Sequence, residues 1–214
     1  VGEVFGLARN SKKLEELKTL GAKDALQCDI LNDVEGAKEF IYNNGINVLV
    51  NNAGIYNYSA LVDEDENVVR NIIRTNVEAP IILSKYVLKN MKAQKWGRIV
   101  NIGSISGVMG EANASVYSAS KASLIGFSKA LALEVAQDNI TVNTINAGWV
   151  DTELGNESIE DSEFSKEEIM EIIPQKRFVT PEEIARLIKY LISDDARGIT
   201  GQSINLCAGL SVGY

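Results

Sequence analysis

Short runs of β-branched and aliphatic residues recur along this chain, and each is followed by a longer stretch whose apolar positions fall at helical spacing. That alternation is the signature of βαβ units, because parallel strands can be joined only through a crossover that packs back on the sheet. Strands are expected at Glu3–Leu7, Ala25–Cys28, Val48–Asn51, Gly97–Ile102, Thr141–Ala147 and Ser203–Leu206. Helices are expected near Lys12–Leu20, Val34–Asn43, Glu66–Lys92, Ser115–Asp138, Lys166–Glu171 and Pro181–Ser193. The strand runs are apolar on both faces, as they must be when helices cover both sides of a sheet. The expectation is a single α/β domain over residues 1–214, with no repeat, low-complexity tract or linker.

Composition narrows the function classes. With 214 residues, 45% of them apolar, the chain can bury a substantial core. A formal net charge of −8 argues against nucleic acid or an anionic membrane as partner, since both favour a basic stripe. No apolar run approaches the roughly 18 residues of a membrane span, and the first residues show no basic n-region followed by a long apolar stretch. A cytoplasmic location is expected. Cys28 and Cys207 are too few and too far apart for a disulfide framework or a metal cluster, and read as reduced core thiols. The 214 residues contain no histidine, which removes a Ser-His-Asp triad and the commonest metal ligand. Acid/base chemistry must come from Tyr, Lys or carboxylates.

Two segments carry local signals. Thr180-Pro181-Glu182-Glu183 offers a helix start, with Thr at the cap, Pro at the first helical position and acids in the first turn. Residues 151–171 hold nine acids (Asp151, Glu153, Glu157, Glu160, Asp161, Glu163, Glu167, Glu168 and Glu171) against one base, Lys166. Such a stretch repels itself and is expected to be mobile until a ligand orders it.

Tyr117-Ser-Ala-Ser-Lys121 sets a phenol and an ammonium four residues apart in a helical pattern. Positions i and i+4 share a helix face, with Cβ atoms about 5–6 Å apart, so the two heads can meet over one ligand. A free tyrosine titrates near pH ~10, and a neighbouring ammonium is expected to lower that and make the phenol a general acid/base. Alone, such a pair is more often a solvated helix face. Three features surround it here. Asn51-Asn52-Ala53-Gly54 follows the strand Val48–Asn51, at the end where open α/β sheets bind ligands. Ser104 sits at the end of a second strand, in Gly103-Ser104-Ile105-Ser106-Gly107. Asn76 lies inside a long helical pattern, where Asn is a poor residue without a side-chain task.

Together these stretches resemble the short-chain dehydrogenase/reductase family, and most closely its 3-oxoacyl-carrier-protein reductase branch. The resemblance runs from about Val4 to Gly209. It is carried by Asn51-Asn-Ala-Gly54, Asn76, Gly97-Arg-Ile-Val-Asn-Ile-Gly-Ser-Ile-Ser-Gly107, Tyr117-Ser-Ala-Ser-Lys121, Lys121-Ala-Ser-Leu-Ile-Gly-Phe-Ser-Lys129, Ile140-Thr-Val-Asn143 and Ile199-Thr-Gly-Gln202. It implies a Rossmann-like, doubly wound parallel sheet in three αβα layers, and an oxidoreductase that interconverts a ketone and a secondary alcohol. It also implies a catalytic tetrad. Tyr117 would protonate the carbonyl oxygen during reduction and Ser104 would hydrogen-bond it. Lys121 would hold the cofactor ribose and lower the tyrosine, and Asn76 would anchor a water that passes protons on to Lys121. Charge building on that oxygen calls for positioned donors of this kind.

The same resemblance suggests the cofactor. In this family an acid at the position of Ala8 binds the adenine-ribose hydroxyls and favours NAD. Here an uncharged Ala8 precedes Arg9, and an arginine fork suits a 2′-phosphate, so NADP(H) is expected over NAD(H). By similarity Asp29 and Ile30 contact the adenine, Asn51, Ala53 and Gly54 line the adenosine side of the cleft, and Gly148, Val150 and Thr152 lie by the nicotinamide. Residues of about 151–175 would form a substrate lid. A homotetramer through the helices Glu66–Lys92 and Ser115–Asp138 is implied, the second of which carries Leu124, Phe127, Leu131 and Val135.

The chain also departs from the pattern. The family opens with a strand, a glycine-rich Thr-Gly-x-x-x-Gly-x-Gly turn and a helix, whereas these residues begin near its second strand. That piece, on the order of 30 residues, would add a strand between Glu3–Leu7 and Val48–Asn51, and its absence predicts a gap in the sheet. Ala147-Gly148 replaces the family's Pro-Gly. Asp138-Asn139 stands where carrier-protein reductases tend to be basic, which leaves acyl-CoA esters, small ketones and sterol-like ketones open beside carrier-bound acyl thioesters. A catalytically inactive scaffold or interaction protein is the alternative reading. An extended-family epimerase sharing the Tyr-x-x-x-Lys pair fits less well, because such chains are longer and lack the Asn-Asn-Ala-Gly context.

Overall fold

Strands form wherever the doubly apolar runs were expected, all of them parallel, but in two sheets. The computed structural model describes residues 2–212 apart from 161 and 163. β1 (Phe5–Ala8) pairs with β2 (Asp24–Gln27), while β3 (Val48–Asn51), β4 (Gly97–Ser104), β5 (Ile140–Ala147) and β6 (Ser203–Leu206) lie side by side in that order. Among the described residues no ladder joins the two sheets, and the division falls where the resemblance predicts a gap. Nine helices are described: α1 (Ser11–Thr19), α2 (Val34–Asn43), α3 (Glu66–Ile73), α4 (Ala79–Gln94), α5 (Ser106–Met109), α6 (Ser115–Val135), α7 (Glu153–Glu160), α8 (Lys166–Ile172) and α9 (Pro181–Leu191).

The layers follow from alternation along β4 and β5. Ile99, Ile140 and Val142 pack against Val87 and Met91 of α4 and Leu131, Ala132 and Val135 of α6. Val100, Ile102 and Ile145 pack instead on Leu191 of α9. The result is the expected α/β, Rossmann-like sandwich, with each buried side chain of this size contributing about 1.5–3 kcal/mol. Ile41 of α2 enters the α4 and α6 core and so ties the smaller sheet's helix to the larger sheet. On α6, Leu124, Leu131 and Val135 are all core residues, so that stripe is spent inside the subunit.

Two departures from the expected elements have local causes. The long helix Glu66–Lys92 is interrupted by a π-helical turn, Arg74–Glu78, between α3 and α4. Pro80 accounts for it: its ring nitrogen cannot donate to the carbonyl four residues back, which belongs to Asn76, and the ring crowds that carbonyl. The other departure is α7, in the acidic segment, where α8 lies at the expected helix Lys166–Glu171 and Asp161 and Glu163 are outside the described residues. Glu153, Glu167 and Glu168 fall in first helical turns, where the helix dipole favours negative charge. Ser165 and Glu168 close a capping box on α8, and Lys13 meets Glu153 at 2.6 Å. Thr180, Pro181 and Glu183 start α9 as their sequence indicates.

Candidate active site

The carboxyl ends of β3, β4 and β5 converge, and the tetrad gathers above them. Register pairs Ser104 with Ala147, and the Ile105 amide donates to the Ala147 carbonyl at 2.8 Å, so Gly148 starts beside the end of Ser104's strand. A Cβ on Gly148 would lie 2.7 Å from the Cys207 Cα, a contact only glycine avoids. Beyond β3, the chain is pinned by Asn76. Its Oδ1 accepts from the Ile55 amide at 2.9 Å, while its Nδ2 donates to the Ile55 carbonyl at 2.9 Å and to Ser120 Oγ at 3.0 Å. Asn76 is 1% exposed, and the π turn sets it at this junction. Gly54 completes the approach: a Cβ there would stand 3.1 Å from Lys121 Nζ and 3.4 Å from Asn76 Oδ1.

Tyr117 and Lys121 share the inner face of α6, with the Lys121 ammonium 5.7 Å from the Tyr117 ring centroid. Their electrostatics correct the expectation that the ammonium lowers the phenol. Burial pushes Tyr117 up to about 12, against the lowering influence of the Ser104 hydroxyl, and pushes Lys121 down to about 8. Each charged form loses its hydration there, and Lys121 Nζ is turned to the Ile102 carbonyl at 2.9 Å rather than to the phenolic oxygen. Tyr117 is therefore held as a neutral phenol, the form that donates a proton to a carbonyl oxygen.

Four neighbours were not singled out in the sequence. Ser120, next to Lys121, receives the Asn76 amide and donates to the Tyr117 carbonyl at 2.7 Å. Tyr56 meets Tyr117 edge-on, with ring centroids 4.9 Å apart. Glu111 accepts from Tyr56 Oη at 2.8 Å and from Ser106 Oγ at 2.6 Å, and Ser104 Oγ donates to Ser106 Oγ at 3.0 Å. Closeness in the chain to Gly54, Ser104 and Tyr117 was the only signal for them.

The residues assigned to the cofactor divide between two places. Ala8 ends β1, and Arg9 and Asp29 line an open cleft of about 440 Å³ with Gln27, Cys28 and Asp33. Ile30 follows Asp29 in the loop after β2 without lining that cleft. Asp29 uses its carboxylate locally, accepting from the Leu31 amide at 3.1 Å and Asn32 Nδ2 at 2.9 Å. Asn51 is buried at the end of β3, donating to Asn101 Oδ1 at 2.7 Å, and its own Oδ1 has no donor. Ala53 is exposed in the loop beyond it. Val150 forms an isolated parallel bridge with Val179, and Thr152 Oγ1 accepts from the Gly155 amide at 3.1 Å at the start of α7. Among the described residues no cluster of metal-ligating side chains occurs, and no helix is long and apolar enough to cross a membrane.

A paired tyrosine and lysine on one helix, a strand-end serine and a buried asparagine in a π-helical turn, on an α/β sandwich, define a class, and comparison with known proteins gives the same one. A family model described as "Enoyl-(Acyl carrier protein) reductase" matches residues 4–211, and the chain belongs to the short-chain dehydrogenase/reductase family. Its place there is beside the 3-oxoacyl-[acyl-carrier-protein] reductases. It is 41% identical over 165 residues to that reductase of Buchnera aphidicola subsp. Schizaphis graminum, covering 77% of this chain and 66% of the relative. With that of Pseudomonas aeruginosa it shares 39% over 163 residues, covering 76% of this chain and 65% of the relative. Among solved structures, a variant of actinorhodin polyketide ketoreductase with NADPH superposes with a TM-score of 0.91 at 35% identity, over 99% of this chain and 88% of the other. A 4-hydroxyisoleucine dehydrogenase mutant complexed with NADH and succinate gives 0.88 at 32% identity, over 99% and 89%.

Proposed function

We propose that this protein is an NADP(H)-dependent oxidoreductase that interconverts a ketone and a secondary alcohol, with 3-oxoacyl thioesters as the leading substrate class. The observation that carries the reading is the convergence of Tyr117, Ser104, Lys121 and Asn76 above the strand ends, with Tyr117 held neutral. The residues present fit a dinucleotide. Gly54 leaves bare the space over Lys121 Nζ, Asn51 offers a buried acceptor without a donor, and Arg9 makes no ion pair among the described residues. When bound, the nicotinamide supplies or accepts the hydride.

The chain's own residues do the rest. Arg9 would meet the 2′-phosphate, with Ala8, Asp29 and Ile30 about the adenosine. Asn51, Ala53 and Gly54 would line the cleft, and Gly148, Val150 and Thr152 would flank the nicotinamide. Lys121, once drawn from the Ile102 carbonyl, would hold the ribose. Tyr117 would give its proton to the substrate oxygen as charge develops there. α7 and α8 would serve as the lid.

The acyl carrier is one of several candidate thiol carriers. Asp138 is paired with Lys95, and with Lys92 at 3.9 Å, so the acid that stands where carrier-protein reductases tend to be basic is outnumbered by two lysines and the cluster keeps a net positive charge. A homotetramer through α3, α4 and α6 and a cytoplasmic location complete the proposal. Ile73 of α3, 39% exposed, Ile81 of α4, 41% exposed, and Leu133 of α6, 83% exposed, are large apolar residues left outside for such an interface.

The test is NADPH oxidation against a panel of 3-oxoacyl thioesters and simple ketones. Tyr117→Phe is expected to lose 10²–10⁴-fold in rate, as for a general acid. Retention of more than about a hundredth of the rate would remove Tyr117 from the role. Calorimetry that shows no NADPH binding would favour the inactive scaffold.

A further inference from the structure

Ser104 has one proton and two neighbours able to take it. One is the phenolic oxygen of Tyr117, whose titration the Ser104 hydroxyl would lower if it donated there. The other is Ser106 Oγ, at 3.0 Å. Which of them receives it is decided at Glu111. A carboxylate only accepts, so the 2.6 Å contact from Ser106 Oγ to Glu111 Oε2 must carry the Ser106 proton. Ser106 Oγ is then left with lone pairs alone to offer Ser104, and Ser104 must be the donor in that bond. Its oxygen also accepts from the Ser106 amide at 3.1 Å, which leaves one lone pair and no proton free. Both serines are nine-tenths buried or more, so water does not readily substitute in this chain. Tyr56 Oη donates to the other oxygen of Glu111 at 2.8 Å and holds the carboxylate in place.

We propose that Glu111 is a positioning residue of this centre: through Ser106 it turns the Ser104 hydroxyl away from Tyr117, so that Ser104 offers the phenol a lone pair rather than a proton. This rests on the reductase reading for its purpose, which is to keep Tyr117 protonated until a carbonyl oxygen arrives. A phenolate receives no hydrogen bond from Ser104 while the chain points to Glu111. The charged and titratable groups about Tyr117 are Lys121 on its own helix, Tyr56 from the loop after β3, with Tyr58 beyond it, and Glu111 from the loop between α5 and α6. Of these, Glu111 alone commands the direction of a hydroxyl proton next to the phenol.

Two substitutions reverse that direction by different routes. Ser106→Ala removes the acceptor and leaves Glu111 charged and bonded to Tyr56. Glu111→Gln can place an amide donor on Ser106 Oγ, which then donates to Ser104. Either way the Ser104 proton is free to turn to the phenolate. A hydrogen bond to an anion corresponds to a shift of about one to two pH units.

The experiment is ¹³Cζ-tyrosine NMR of the unliganded protein between pH 7 and 11, with the Tyr117 signal assigned by Tyr117→Phe and folding followed by circular dichroism at each pH. It needs neither cofactor nor turnover, so its failure is distinct from failure of the reductase reading. In the parent protein Tyr117 is expected to show no titration by pH 11, and in both variants its midpoint is expected about one to two units lower than the parent's. No movement in either folded variant overturns the proposal. Movement in Ser106→Ala alone removes Glu111 from the role, and movement in Glu111→Gln alone reduces its effect to charge acting through space. Should Ser106→Ala fail to fold, absence of a shift in Glu111→Gln still refutes the chain.

Discussion

Lys121→Met should make this protein more stable at neutral pH while abolishing its activity. Lys121 is 5% exposed and burial holds it at about 8, against 10.5 for the free side chain. A folded-state value below the unfolded one means that the unfolded chain binds the proton more tightly. Stability from this group is therefore full above the unfolded value and is lost as pH falls through the folded one. At pH 7 the charged ammonium costs the fold about 3 kcal/mol, at 1.36 kcal/mol per unit, and at pH 10 only about 1 kcal/mol. Methionine fills similar space without charge but gives up the ammonium's contact with the Tyr117 ring and the bond to the Ile102 carbonyl, the latter at about 1 kcal/mol. Urea unfolding of parent and variant at pH 7 and pH 10 measures the difference. A gain at pH 7 that exceeds the difference at pH 10 by about 2 kcal/mol is expected, equivalent to roughly 4–8 °C in Tm. A variant less stable than the parent at pH 7, or a difference that ignores pH, would refute the argument that burial dominates Lys121.

Two further substitutions test other parts of the site. Asn76→Leu strips three hydrogen bonds and leaves both backbone groups of Ile55 unpaired, so it should cost roughly 2–4 kcal/mol in urea unfolding at about 1–3 per stranded group. A loss under 1 kcal/mol would mean that the loop after β3 does not depend on it. Arg9→Ala is expected to weaken NADPH by about tenfold and NADH hardly at all, on the scale of a charge-assisted hydrogen bond. Equal effects on both cofactors, read by calorimetry, would remove Arg9 from the 2′-phosphate.

The positions of the strands and most helices were readable because periodicity reports burial directly: β3, β6 and α2 fall on their expected bounds, and β4 and β5 differ only at their ends. Within the acidic segment α8 lies close to its expected bounds, whereas α7 was not foreseen, because a count of charges takes no account of where they fall in a helix. Glu153, Glu167 and Glu168 lie at N-terminal turns that favour them. Pro80 was a visible signal for the π turn at Asn76, once the missing amide is matched to the carbonyl four residues back.

The sequence by itself determined that Tyr117 and Lys121 share a helix face, that Ser104 ends a strand, and which residue types could do acid/base work. These follow from spacing along one element. Only the tertiary structure decided how those groups titrate and which way their protons point. Burial depends on everything packed around a group, and here it outweighs the attraction between phenol and ammonium. The chain from Ser104 through Ser106 to Glu111 joins residues only a few positions apart, yet its direction is set by a carboxylate that Tyr56, from another loop, holds in place. Local sequence carries the donors and acceptors; the fold chooses among their possible bonds.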